Sequence, residues 1–169
     1  MKNALGFDYM CRSAELSEDG LYRFTLERTW FDEGDPSDPC TYITYIGLNP
    51  STADANFDDP TIRRLIQFTR DFGYKGFEIR NLYALRCTDP DKVDRSKLIS
   101  LDNESVLSKC RGEKIVLCYG KNRNWPDWYW IIRKLELWYT DQLYCFGRNK
   151  DGSPKHPLYL KGTTKLQKW

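Results

Sequence analysis

The sequence predicts an α/β fold of three layers, with helices on both faces of a central, mainly parallel four-stranded sheet. Two observations carry this. Short apolar or alternating runs at 43–47, 77–82, 114–119 and 143–146 are separated by stretches with helical periodicity, and parallel neighbours need a crossover, which here is helical. Each run also stops abruptly at Gly or Asn and is followed by polar residues, as strand ends over a ligand-binding face do.

The elements follow in chain order. In "LYRFTLERTW" (21–30), Tyr22, Phe24 and Leu26, then Arg28 and Trp30, alternate as in a half-buried strand. It belongs to an N-terminal extension, 1–40, expected to pack on a core of 41–160, with 161–169 as a tail of the same single domain. The acidic, turn-rich "FDEGDPSDP" follows, and "TYITYIGL" is the next strand. Asp59 before Pro60 marks a helix start, the carboxylate as N-cap and the proline at the first helical position. Ile62, Leu65, Ile66 and Thr69 then share one face, and Gly73 is placed to end the helix. "GFEIRNLYAL" (76–85) reads as a strand and "LDNESVLSKC" (101–110) as a short helix. "KIVLCYG" (114–120) reads as a strand covered on both faces. "WPDWYWIIRKLELWY" (125–139), with Pro126 in its first turn, gives a third helix before the last strand, "LYCFG".

Composition narrows the function classes. With 40% hydrophobic and 30% charged residues and a mean hydropathy of −0.68, no apolar run approaches the ~20 residues of a membrane span. The start "MKNALGFDYM" lacks the apolar stretch of a signal peptide, so the expected location is cytoplasmic, with no membrane partner. The six cysteines form no CxxC pair and Cys87, Cys118 and Cys145 lie in or beside apolar segments, which together with a single histidine argues against zinc or an iron–sulfur cluster. No metal and no cofactor are expected. The net charge of +2 neither demands nor excludes nucleic acid, but an aromatic share of 15% leaves rings to spare for stacking on bases.

The charges are distributed unevenly over the four strand exits. "GLNPSTAD" (47–54) and "NLYALRCTDP" (81–90) carry amides and carboxylates, as does Asp58–Asp59 downstream of the first. "GKNRNW" (120–125) and "GRNKDGSPKHP" (147–157) carry Lys121, Arg123, Arg148, Lys150, Lys155 and the only histidine, His156. A phosphodiester could lie on the basic rim while chemistry proceeds beside the acidic one.

On "GLNPS" (47–51), "NLYALRCTDP" and "HPLYL" (156–160), in that order, the chain resembles the uracil-DNA glycosylase superfamily over residues 41 to 160. More narrowly, "LNPSTAD…DDPTIRR" with the later two segments looks like a bacterial and phage family of unknown function. The resemblance implies a four-stranded parallel α/β/α fold and a monofunctional DNA N-glycosylase, a hydrolase. It also implies action on a modified base, with viral DNA and antiviral defence as the setting. The residues after the first-motif proline, Ser51, Thr52, Ala53 and Asp54, depart from that superfamily, and uracil is not the expected substrate.

N-glycosidic cleavage builds positive charge on the sugar and negative charge on the base. Asn49 or Asp54 is the candidate to hold the water, each with a local alternative as a turn or cap residue. His156, held by Pro157, is the candidate donor to the leaving base. Asn81 would read a base edge through its amide, with Leu48 and Tyr83 beside it. Ser51, Lys121, Arg123, Arg148 and Lys155 would contact DNA, with Leu158 or Tyr159 as a wedge in the vacated stack. The expected partner is DNA and the expected state a monomer. Two other classes compete: a module that binds a nucleotide or flipped base without cleaving it, and a metal-dependent phosphohydrolase built on Asp54, Asp58 and Asp59.

Overall fold

The computed structural model describes residues 9–30, 41–89, 97–98, 101–121 and 127–169. The elements are β1 (Tyr9–Leu16), β2 (Arg23–Trp30), β3 (Tyr42–Gly47), α1 (Pro60–Asp71), β4 (Gly76–Asn81), α2 (Leu101–Leu107), β5 (Lys114–Leu117), α3 (Trp128–Trp138), β6 (Leu143–Cys145), a 3₁₀ turn (Pro157–Tyr159) and β7 (Gln167–Lys168).

The strands form one sheet in the order β1-β2-β4-β3-β5-β6-β7. This corrects the four-stranded, mainly parallel sheet expected from the sequence. The sheet has seven strands and is mixed. β3 pairs in parallel with β4 and β5, and β5 with β6, while β1, β2 and β7 are added antiparallel at the two sides. The physical reason is that β2 presents a full hydrogen-bonding edge to β4, with Leu26 opposite Ile79 and Thr29 opposite Gly76, and β1 in turn pairs along β2 from Tyr9 to Leu16.

Alternation along the strands sends side chains to two cores. Ile43 and Tyr45 of β3 join Phe77 and Ile79 of β4 and the α1 residues Ile62, Leu65, Ile66 and Phe68, whereas Ile46 joins Ile115 and Leu117 of β5, Leu107 of α2 and Ile132 and Leu135 of α3. α1 starts as its sequence dictates: the Asp59 carboxylate accepts from the Ile62 amide at 2.9 Å, with Pro60 at the first position. Cys118 and Cys145 are buried in the sheet, where a thiol serves as a small hydrophobe. Among the described residues, no helix is long and apolar enough to cross a membrane. The acidic segment 31–39, Cys40, Arg123 and Pro126 lie outside the described residues.

The crossover from β3 to β4 goes one way along the sheet and the later connection to β5 goes the other. The order therefore reverses beside β3. In open α/β sheets such a switch point leaves a crevice at the carboxyl ends of the strands.

Candidate functional site

A cavity of about 1000 Å³ occupies that crevice. Its walls come from the exits of β3 (Gly47 to Asn49, Ser51), β4 (Asn81, Cys87, Thr88) and β5 (Cys118 to Lys121), together with the segment after β6 from Asn149 to Leu160, the start of α1 (Asp59, Thr61) and Arg23 of β2.

Asn81 ends β4 on the cavity floor. Only 2% of it is exposed, and its Nδ2 has no hydrogen-bond partner. Gly47 makes room for it: a Cβ there would lie 2.6 Å from the Asn81 Oδ1, so any other residue would displace the carboxamide. A buried amide donor without an acceptor costs about 1–3 kcal/mol, a cost that a ligand with a matching acceptor removes.

His156 stands across the cavity at the head of the 3₁₀ turn. Its Nδ1 accepts from the Leu158 amide at 3.3 Å. A neutral imidazole accepting at Nδ1 carries its proton on Nε2, which has no hydrogen-bond partner among the described residues. Burial pushes its pKa below the ordinary value, opposed by the Asp59 carboxylate nearby, which favours the neutral ring. Gly120, at φ +78°, brings the β5 exit against the ring; a Cβ there would meet the His156 Cβ at 3.2 Å.

Asn49 also lines the cavity, but its Nδ2 is committed to the carbonyls of Pro50 (3.0 Å) and Cys87 (2.8 Å). This leaves Oδ1 as its acceptor for a ligand or water. The Cys87 amide returns a bond to the Pro50 carbonyl at 2.8 Å, sewing the β3 and β4 exit loops together.

Asp54 is a correction. It lies outside the cavity lining, and its Oδ1 takes the amides of Asn56 (2.7 Å) and Phe57 (2.9 Å), which is a turn-capping role. The buried carboxylate at the cavity, which Asp151 also lines from an exposed position, is Asp59, which sequence reasoning read only as a helix cap. It is both: one oxygen caps α1, the residue is 94% buried, and it lines the cavity beside His156. Asp58 is taken by Arg28, so the three carboxylates serve three separate tasks. Among the described residues, no group of three or more His, Cys, Asp and Glu side chains is placed to hold a metal ion.

The other predicted contacts divide. Leu48, Ser51, Lys121 and Lys155 line the cavity. Tyr83 is buried and instead lines a second cavity, of about 290 Å³, walled by residues of α2 and α3. Arg148 stacks over the Trp169 ring at 3.6 Å, which occupies it at the C-terminal end of the chain. Leu158 does not line the cavity, whereas Tyr159 does and is 86% exposed. Arg123 lies outside the described residues.

Arg23 was missed. In the sequence it looks like a polar residue on the solvent side of an alternating strand, yet it is 98% buried at the cavity, and among the described residues its only side-chain hydrogen bond runs from Nη1 to the Ala53 carbonyl at 3.0 Å. The signal available was weak: a strand that also buries Arg28 is not a simple amphipathic one.

Residues 23–158 match the family model described as "Protein of unknown function (DUF1643)", and the chain belongs to that family. This replaces the resemblance to the uracil-DNA glycosylase superfamily and the hydrolase fold that came with it: the matching family is an unrelated one, and the seven-stranded mixed sheet differs from the fold expected of that superfamily. No curated protein and no solved structure matches the chain. The matched range takes in the cavity residues from Arg23 to Pro157 and stops short of Tyr159 and Leu160.

Proposed function

We propose that this DUF1643 protein takes a nucleobase of DNA into the switch-point cavity and hydrolyses its N-glycosidic bond. The observation that supports this reading best is the pair of unpartnered donors, Asn81 Nδ2 and the Nε2–H of neutral His156, lining one cavity that also holds a buried carboxylate, Asp59. A base presents ring carbonyls that such donors fit, and the exposed lysines Lys121, Lys150 and Lys155 at the mouth suit a phosphodiester.

In this reading Asn81 selects the base edge and Leu48 and Ile79 supply apolar contact. The C1′–N bond breaks with its electron pair leaving on the base, and His156 stabilises that growing anion by donating from Nε2. Water adds to C1′ and gives one proton to Asp59, whose second oxygen is not used by the helix cap; the other hydrogen stays on the new C1′ hydroxyl and hydrogen-bonds to Asn49 Oδ1. Tyr159, exposed at the rim, stacks against the opened duplex.

The test is incubation of the protein with DNAs carrying different modified bases, followed by mass spectrometry of the free-base fraction. Release of one class of base, lost in His156→Ala, is the expected result. Tight binding without release from any of these DNAs would leave a base-binding module, and absence of both would remove the cavity as a nucleic-acid site.

A further inference from the structure

Arg23 carries the argument beyond base recognition. Its position is deep: Lys121, Lys150 and Lys155 are exposed at the mouth, whereas Arg23 has 2% of its surface exposed and its Nε is buried with no partner. Arg28, five residues on in the same strand and fully buried, shows what a structural arginine looks like here. Its Nε donates to Asp58 at 2.8 Å, Nη1 to the Glu27 carbonyl at 2.7 Å and Nη2 to the Asp54 carbonyl at 2.6 Å. Arg23 has a single bond to a carbonyl, and no carboxylate forms an ion pair with it among the described residues.

The carboxylates that act on it from a distance, Asp59 and Asp54, are each held by backbone amides, and two further cations, Arg28 and Arg86, act against them. Burial lowers the pKa of the guanidinium to about 10, so it is still charged at neutral pH. A buried, charged, half-bonded arginine on a cavity wall is costly unless an anion completes it.

We infer that the portion of the ligand entering this cavity carries an oxyanion, received by Arg23 with the Asn81 amide in the same cavity. The inference rests on the reading of the cavity as a nucleobase site. It narrows the ligand to two forms that share the chemistry: a mononucleotide whose phosphate reaches the interior, or a base that itself bears an acidic substituent. The lysines at the mouth serve the polymer backbone in the second case.

The experiment is calorimetric titration of the full chain with three sets of probes: unmodified 2′-deoxynucleosides, the same nucleosides as 5′-monophosphates, and pyrimidine deoxynucleosides with a carboxylate on the base. One anionic set should bind at least about tenfold tighter than the neutral set, the gain expected of one hydrogen bond to a charged group. Phosphate preference identifies the first form and carboxylate preference the second. Arg23→Gln should abolish the preference while keeping affinity for the neutral nucleoside. Arg23→Lys, which keeps the charge but loses the fork of donors, should reduce it and covers the case in which the glutamine variant does not melt cooperatively. Equal binding of all three sets by the unmodified protein overturns the inference without any variant. So does a preference that survives Arg23→Gln, or one that disappears instead in Lys121→Ala or Lys155→Ala. Base release from DNA without anion preference would sink this inference alone, and anion preference without base release would sink only the proposed cleavage.

Discussion

Of the buried polar side chains of strand β4, Glu78 and Asn81, three residues apart, are treated in opposite ways. Glu78, with no exposed surface, accepts from Thr44 Oγ1 (2.8 Å), Arg80 Nη2 (2.9 Å) and the Arg111 amide (2.9 Å). Burial alone would raise its pKa, but the bonds from Arg80, Arg111 and Thr44 outweigh it and hold the carboxyl below its ordinary value. Arg80 bonds onward to the Val106 carbonyl, and the Thr44 hydroxyl takes the Gly112 amide at 2.9 Å, so the cluster ties β3, β4 and the approach to β5 together. Asn81, equally buried, makes no side-chain bond to the protein through its Nδ2. A polar group with its partners inside the protein belongs to the fold, whereas one left open on a cavity wall is free to meet a ligand.

The comparison breaks most visibly at Glu78. Glu78→Gln leaves Arg80 without a counter-charge in the interior and should cost about 3–5 kcal/mol of stability, read by denaturant unfolding, with ligand affinity of the surviving folded protein unchanged. His156→Ala should do the reverse. Base release in single turnover should fall by about 10²–10³-fold, the loss expected when one preorganised donor to a developing anion is removed, with the melting temperature little changed. Equal losses of melting temperature and activity would place His156 with Glu78 as a structural group.

Asn81→Ala sharpens the contrast further. Because no protein bond is lost at Nδ2, stability should be unchanged or slightly raised, while nucleoside affinity falls by about 1–3 kcal/mol. A large loss of stability would show that the amide has a structural partner after all. The pH response is smaller and has a definite sign. His156 has its folded pKa below its ordinary value of 6.5, so the unfolded chain binds the proton more readily. Stability should therefore be complete above pH 6.5 and fall as the pH drops from there towards the folded pKa, and His156→Ala should flatten that slope. With only one histidine in the chain, no other imidazole contributes. Smallest of all, Lys121→Ala and Lys155→Ala should each lower the log–log salt slope of DNA binding by about one unit, measured by titration at several salt concentrations.

The sequence made the local parts of this molecule legible and the long-range parts not. The Asp59–Pro60 helix start and the apolar runs of β3, β4, β5 and β6 are visible because capping and periodicity act over a few residues. β1 passed unread because "YMCRSAEL" does not alternate, and its strand character comes from pairing along β2. β7 is two residues long and is defined only by its partner, β6. Of the residues that line the cavity, Asn49, Asn81, His156, Lys121 and Lys155 stand out in the sequence because they lie at or after strand ends. Arg23 and the cavity-lining position of Asp59 do not, because what distinguishes them is burial beside a cavity, which depends on how β2 and α1 are brought to the sheet.

The stitching of the two exit loops has a kinetic meaning. Asn49 Nδ2 donates to the Cys87 carbonyl and the Cys87 amide donates to the Pro50 carbonyl, Arg86 donates to the Ser51 carbonyl at 3.3 Å and the Gly20 carbonyl at 3.2 Å, and Arg28 grips the far end at Asp54 and Asp58. The ordering entropy of this wall is spent during folding, before any ligand arrives. Association on this side of the cavity then needs no slow loop closure, so the observed binding rate should rise linearly with ligand concentration without reaching a plateau. Differences in affinity among ligands should show up in how long each stays rather than how fast it enters.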